Sequence, residues 1–259
     1  MTNSDLITLE KSDFPTGQIS LSFYRPYYKD VRVANRHYPL PQDQSDQGPP
    51  YSMDDLIIAH KVVSINGNKV DNQKGDTIDR ISSLDISDQQ FLNTFFVDLC
   101  YASQEELRQA RNKADEIKLD YRQSYTIPAE EIPSGEFSVT FRRPNAGVRM
   151  EVDRRWQSRA VNGCSMEEML LAYCLEQING EDKSQKPKDV VSLLEDWEIA
   201  DVQFLASLFV GAFTMDTSEA ESARDLAKKK KKSRSDKSGK KQTKPSQASA
   251  APSTDNAST

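Results

Sequence analysis

Pro15-Thr16-Gly17-Gln18-Ile19-Ser20-Leu21-Ser22-Phe23-Tyr24-Arg25-Pro26 decides the fold, because it occurs twice. Its second appearance is Pro133-Ser134-Gly135-Glu136-Phe137-Ser138-Val139-Thr140-Phe141-Arg142-Arg143-Pro144, an offset of 118 residues from Pro15 to Pro133. Ser52-Met53-Asp54-Asp55-Leu56-Ile57-Ile58-Ala59 then matches Ser165-Met166-Glu167-Glu168-Met169-Leu170-Leu171-Ala172 at an offset of 113. Ile65-Asn66-Gly67 with Ile178-Asn179-Gly180, Asp88 to Leu92 with Asp201 to Leu205, and Ala110-Arg111 with Ala223-Arg224 keep that second register. One length change between Pro39 and Pro50 accounts for the shift. The chain is a tandem duplication.

Each copy has its own order of elements. Ile19, Leu21 and Phe23 alternate with polar residues, as do Phe137, Val139 and Phe141, which is the period of a half-buried strand. Leu6 to Leu9 and Tyr125 to Ile127 are expected to pair back across the Pro-Thr-Gly and Pro-Ser-Gly turns. Ser165 with Glu168 forms a capping box, and Ser52 with Asp55 a weaker one, so a helix starts there in both copies. Met53, Leu56, Ile57 and His60 fall on one face of it, as do Met166, Met169, Leu170 and Tyr173. Asn-Gly reads as a turn. A further helix opens near Asp88 and Asp201, which suit its positive end as capping residues. Its apolar stripe is Phe91, Leu92, Phe95, Phe96 and Leu99 in one copy, and Phe204, Leu205, Leu208, Phe209, Ala212 and Phe213 in the other. A charged helix follows in both, over Glu105 to Ile117 and Glu219 to Ala227. The expectation is an α+β protein with a first repeat over 1–122, a homologous second over 123–227, and a disordered basic tail over 228–259.

Charge is distributed unevenly. Ten basic and two acidic residues from Lys228 to Thr259 give +8, which leaves −14 for residues 1–227 within a total of −6. The tail is Lys, Ser, Ala, Pro and Thr with almost nothing apolar to offset the entropy of ordering. Met1 to Asp5 lacks the start of an export signal, and no apolar run approaches the ~20 residues that span a bilayer. Cys100, Cys164 and Cys174 are odd in number, lack CxxC spacing and are not shared between the copies, which fits a reduced, cytosolic compartment. With two histidines, His37 and His60, no zinc site is expected.

The polar residues kept in both copies are few. His60 has Tyr173 as its counterpart and is expected to pack as an aromatic. Arg25 and Arg143 end a strand, where they face either an anion or solvent at a sheet edge. Arg154-Arg155-Trp156 with Arg159 mixes basic and aromatic residues; the first copy offers Arg32, Arg36, His37 and Tyr38 in the comparable stretch. Such a strip suits nucleic acid or a partner-facing loop. The Lys228 to Lys232 run suits nucleic acid, an acidic partner or the acidic body. The sequence holds no GxGxxG, P-loop, HExxH or GxSxG pattern. No catalytic, metal or cofactor residues are assigned. The candidate partner-binding residues are Arg25, Arg143, Arg154, Arg155, Trp156 and Arg159.

A hairpin ending in Arg-Pro, an amphipathic helix, then Leu84-Asp85-Ile86-Ser87-Asp88 or Trp197-Glu198-Ile199-Ala200-Asp201 opening an aromatic-rich helix resembles the phage tail assembly chaperones. It is also similar to the baseplate hub assembly proteins of contractile phages. The resemblance covers most of residues 5–114 and 125–227. It implies a small α+β fold, no catalysis, and binding in the host cytoplasm to tail, tape-measure or baseplate hub subunits. Members are single copies, and a tandem pair with a basic extension departs from that. A structural place in the tail or baseplate particle, and nucleic-acid binding through the basic tail, are the alternatives.

Overall fold

Twice along the chain, a hairpin is completed into a four-stranded antiparallel sheet by a second hairpin that returns after two helices. The computed structural model describes residues 6–37, 52–70, 76–120, 122–157, 163–214 and 220–228. In the first repeat β1 (Leu6–Leu9) pairs with β2 (Leu21–Tyr24), and α1 (Tyr28–His37) and α2 (Met53–Lys61) follow. β3 (Val62–Ile65) then pairs back on β2, with β4 (Asn68–Lys69) at the edge. After α3 (Asp76–Ser82) comes the long helix α4 (Ile86–Cys100). The second repeat runs β5 (Ser124–Ile127), β6 (Val139–Arg142), α6 (Ala146–Gln157), α7 (Met166–Cys174), β7 (Leu175–Ile178) and β8 (Glu181–Asp182). A 3-10 turn over Val190–Leu194 and helix α8 (Ile199–Phe213) complete it. The strand orders are β1-β2-β3-β4 and β5-β6-β7-β8, each with a register shift at the same place, Ser22/Phe23 and Thr140/Phe141. The fold is α+β, as expected.

The residues kept in both copies explain why the units match. Asn66 and Asn179 both sit at φ 51, followed by glycines at φ 75 and 77, so Asn-Gly makes the tight hairpin turn between β3 and β4 and between β7 and β8. Each asparagine also ties its turn to the neighbouring strand, since Oδ1 accepts from the Ser20 or Ser138 amide at 2.8 Å. Full capping boxes start α2 and α7, Ser52 with Asp55 and Ser165 with Glu168. The second hairpins are elements that sequence patterning missed, because β4 and β8 are two residues long and carry no apolar period.

Asp88 and Asp201 are not caps. α4 starts at Ile86 with Asp85 at the cap, accepting from the Ser87 amide, and α8 starts at Ile199. Asp88 instead reaches the hairpin turn 72 residues back, accepting from the Thr16 amide at 3.0 Å and the Thr16 hydroxyl at 2.6 Å. Asp201 accepts from the Ser134 amide at 3.0 Å. The acid thus clamps the β1–β2 or β5–β6 end onto the long helix. His60 is a second correction. Leu56, Ile57, Ile58 and Ala59 are all buried and His60 is exposed, because α2 packs on several neighbours and buries a wider arc than one face.

The sequence boundary near Tyr121–Thr126 does not divide the packing. α5 (Gln104–Leu119) belongs to the first copy by register, yet Ala110, Ala114 and Ile117 are buried in the second copy's core beside Leu205, Leu208 and Phe209. Gly211 and Ala114 permit a close approach of α5 to α8, since a Cβ on Gly211 would lie 2.8 Å from that of Ala114. Tyr28 also enters the second core, and Ile199 enters the first. Met1–Thr214 forms one compact unit that holds both cores. Met215–Thr259 is a separate unit, in which residues 220–228 form a helix with Lys228 paired to Asp225. The tail expected to be disordered lies outside the described residues from 229 onward. Among the described residues no helix is long and apolar enough to cross a membrane.

Candidate functional site

The arginines singled out by sequence are engaged inside the protein. Arg25 leaves the end of β2 and reaches across to α8, where its guanidinium pairs with Glu198 at 3.0 Å. Arg143, its counterpart, donates to the Asp120 carbonyl at 3.4 Å and lies over the Phe213 ring. Arg154 and Arg155 are on helix α6, not on a loop, and both pair with Glu151 one turn back, at 2.8 Å each. Arg155 also covers the Tyr173 ring. Trp156 is exposed, and Arg159 lies outside the described residues. Glu151 thus neutralises part of the strip. Burial pushes the thiols of Cys100, Cys164 and Cys174 up to about 12, so they stay protonated and inert at neutral pH.

The polar centre that the sequence did not reveal is the joint between the repeats. Arg32 on α1 is 1% exposed and bonds Asp189 at 2.9 Å as well as Glu195, both on the second repeat. Burial alone would lower its pKa, but the hydrogen bond and charge of Asp189, then Glu195, outweigh that and hold it further up. Lys29 pairs with Asp196 at 3.0 Å, and the Tyr28 hydroxyl donates to Glu168 at 2.5 Å. Burial first, then Glu168, keeps the Tyr28 phenol far above its ordinary range and un-ionised. Two backbone bonds complete the joint, from the Tyr28 amide to the Trp197 carbonyl (3.0 Å) and from the Lys29 amide to the Glu195 carbonyl (3.1 Å). Gly163, at φ +80, lets the second repeat meet the α1 backbone; a Cβ there would overlap the Arg32 carbonyl. The hydrogen-bonded partners are 140 to 169 residues apart in sequence, which is why no local pattern announces them.

The joint and α5 leave the long helices in different surroundings. On α8, Ile199, Val202, Phe204 and Leu208 are buried. On α4 the matching residues are Ile86, Gln89, Phe91 and Phe95, of which Ile86 is 70% exposed; Val97 on the same side is 42% exposed. On the opposite side of α4, Phe91 stacks on Phe95 and Phe14 meets Phe91 edge-on, packed against the first core. Two buried polar atoms next to it, Asp55 Oδ1 and Ser82 Oγ, have no hydrogen-bond partner among the described residues. Their counterparts in the second repeat are Glu168 and Glu195, which the joint occupies. The cleft lined by Lys113, Asp120, Arg122 and Tyr125, about 310 Å³, is shallow and polar and brings no reactive pair together.

Comparison with protein families, with curated proteins and with solved structures gave no match.

Proposed function

We propose that this chain is a non-enzymatic assembly factor of the phage-tail type, which holds helical tail, tape-measure or baseplate hub subunits through the outer face of α4. One observation carries the reading: the start of this helix is covered at Ile199 in the second repeat and open at the matching Ile86 in the first. α8 lies against α5 and the joint, whereas α4 presents Ile86 and Val97 on the side away from the core-packed Phe91 and Phe95. A large side chain buried there contributes roughly 1.5–3 kcal/mol, so a few such contacts suffice for reversible holding. The polar residues common to both copies support the same reading, because Asp88 and Asp201, Asn66 and Asn179, and Ser52 and Ser165 all bond within the fold. The engagement of Arg154 and Arg155 by Glu151 weakens the nucleic-acid alternative.

The test is co-purification of the full chain with tape-measure, tail-tube and hub proteins of a contractile-tail phage. A stable complex is expected, and Ile86→Asp with Val97→Asp should weaken it at least about tenfold, the loss of some 1.4 kcal/mol. Failure of the folded protein to bind any tail component would overturn the reading. DNA binding that collapses steeply with added salt would favour the rival.

A further inference from the structure

The joint between the repeats is heterologous: each repeat contributes a different face to it. The first gives Arg25, Tyr28, Lys29 and Arg32, and the second gives Glu168, Glu195, Asp196, Glu198 and Ile199. Being copies of one unit, both repeats carry both faces, so one of each kind is left over. The first repeat's unused face is Ser82, Ser83, Asp85 and Ile86, with Asp55 itself buried. The second's is Ala146, Gly147 and Met150, flanked by Arg143, which is engaged with Asp120 and Phe213.

Faces released from a joint are expected to become ordinary polar surface. These have not. Met150 stands at the position of Arg32 and is 71% exposed, while Ile86 stands at that of Ile199 and is 70% exposed. An exposed methionine in place of a buried arginine is the reverse of what contact with water favours. The differences are also matched across the two unused faces. The Arg32–Glu195 pair becomes Met150 and Ser82, and Lys29–Asp196 becomes Gly147 and Ser83, so both charges are gone together. Arg25–Glu198 becomes Arg143 and Asp85, opposite charges retained but each also engaged within its own repeat, Arg143 with Asp120 and Asp85 with Ser87. Two pairs break the rule: Tyr28–Glu168 becomes Ala146 and Asp55, an acid also needed by its capping box, and Arg32–Asp189 becomes Met150 and Asp76. The two backbone bonds of the joint require no particular side chain, so Ala146 and Gly147 are able to form them.

We infer that the chain associates head to tail with a second copy, the Arg143–Met150 face of one seated on the Ser82–Ile86 face of the next. The inference rests on reading this side of the first repeat as a docking face, and it adds regulation: a second copy competes there with the tail subunit. A heterologous contact need not close, so dimers and longer chains should form as concentration rises.

Sedimentation velocity of the full chain, from micromolar to sub-millimolar concentration, tests this with Ile86→Asp and Met150→Asp, both at exposed sites that leave the cores intact. The wild type should gain mass with concentration, and each variant alone should stay monomeric. An equimolar mixture of the two variants should form dimers and nothing larger, since each retains one working face. A wild type that stays monomeric, a Met150→Asp variant that assembles like the wild type, or a mixture that fails to pair would overturn the inference. Met150→Asp should still bind tail subunits. Loss of tail binding with self-association intact therefore sinks the proposed function alone, and the converse sinks head-to-tail association alone.

Discussion

Truncating the two clamp acids to alanine should have unequal effects, although the residues occupy equivalent positions. Asp88 is 3% exposed and accepts two hydrogen bonds from Thr16, at 3.0 and 2.6 Å. A hydrogen bond to a charged group contributes about 1.5–3 kcal/mol, so Asp88→Ala should cost about 3 kcal/mol after solvent reaches the freed turn. Asp201 is fully buried, accepts from the Ser134 amide, and leaves Oδ2 without a partner among the described residues. Burial pushes its carboxyl above the usual range, against the opposing effect of Ser134. Removing it deletes one good bond but also relieves a poorly served charge, so Asp201→Ala should cost about 1 kcal/mol at neutral pH. A raised folded pKa means that the stability is present below the unfolded value and lost as pH rises through the folded one. The Asp201→Ala penalty should therefore grow on acidification towards pH ~4, near the ordinary aspartate value. Urea unfolding of the full chain, followed by far-ultraviolet circular dichroism, gives both differences. Equal costs at pH ~7, or a larger one at Asp201, would refute the assignment of a fully bonded clamp in one copy and a half-bonded clamp in the other.

Gly163→Ala forces a side chain into a positive-φ position against the Arg32 carbonyl and should destabilise the chain by about 3 kcal/mol, with the joint opening first. Unfolding curves unchanged from wild type would show that the repeats do not meet there. Lys186, held down at about 8 by burial and then by Arg142, donates to the Leu175 carbonyl. Its folded pKa lies below the unfolded value, so its contribution is complete above pH ~10.4 and is lost as pH falls through 8. Thermal melts of wild type and Lys186→Met should converge in favour of wild type as pH rises through that window; parallel curves would exclude it.

Much of this protein follows from local sequence. The duplication, the hairpins, the capping boxes and the Asn-Gly turns depend on residues within a few positions of one another, where backbone sterics and hydrogen bonding dictate the outcome. The aromatic stripes of α4 and α8 announced where the cores lie, because burial has a helical period. What pattern reading could not supply was the partner of each kept polar group. Asp88 was legible as an acid at a helix start, but its bond to Thr16 depends on how the hairpin end folds over α4. Arg32 was legible only as a member of a basic strip, because its partners Asp189 and Glu195 become neighbours only when α1 crosses to the other repeat. Tertiary structure also placed α5 on the second core and thereby left the first repeat's long helix open. Two copies with nearly the same local instructions thus present different surfaces, since the chain has one joint and each repeat occupies a different side of it.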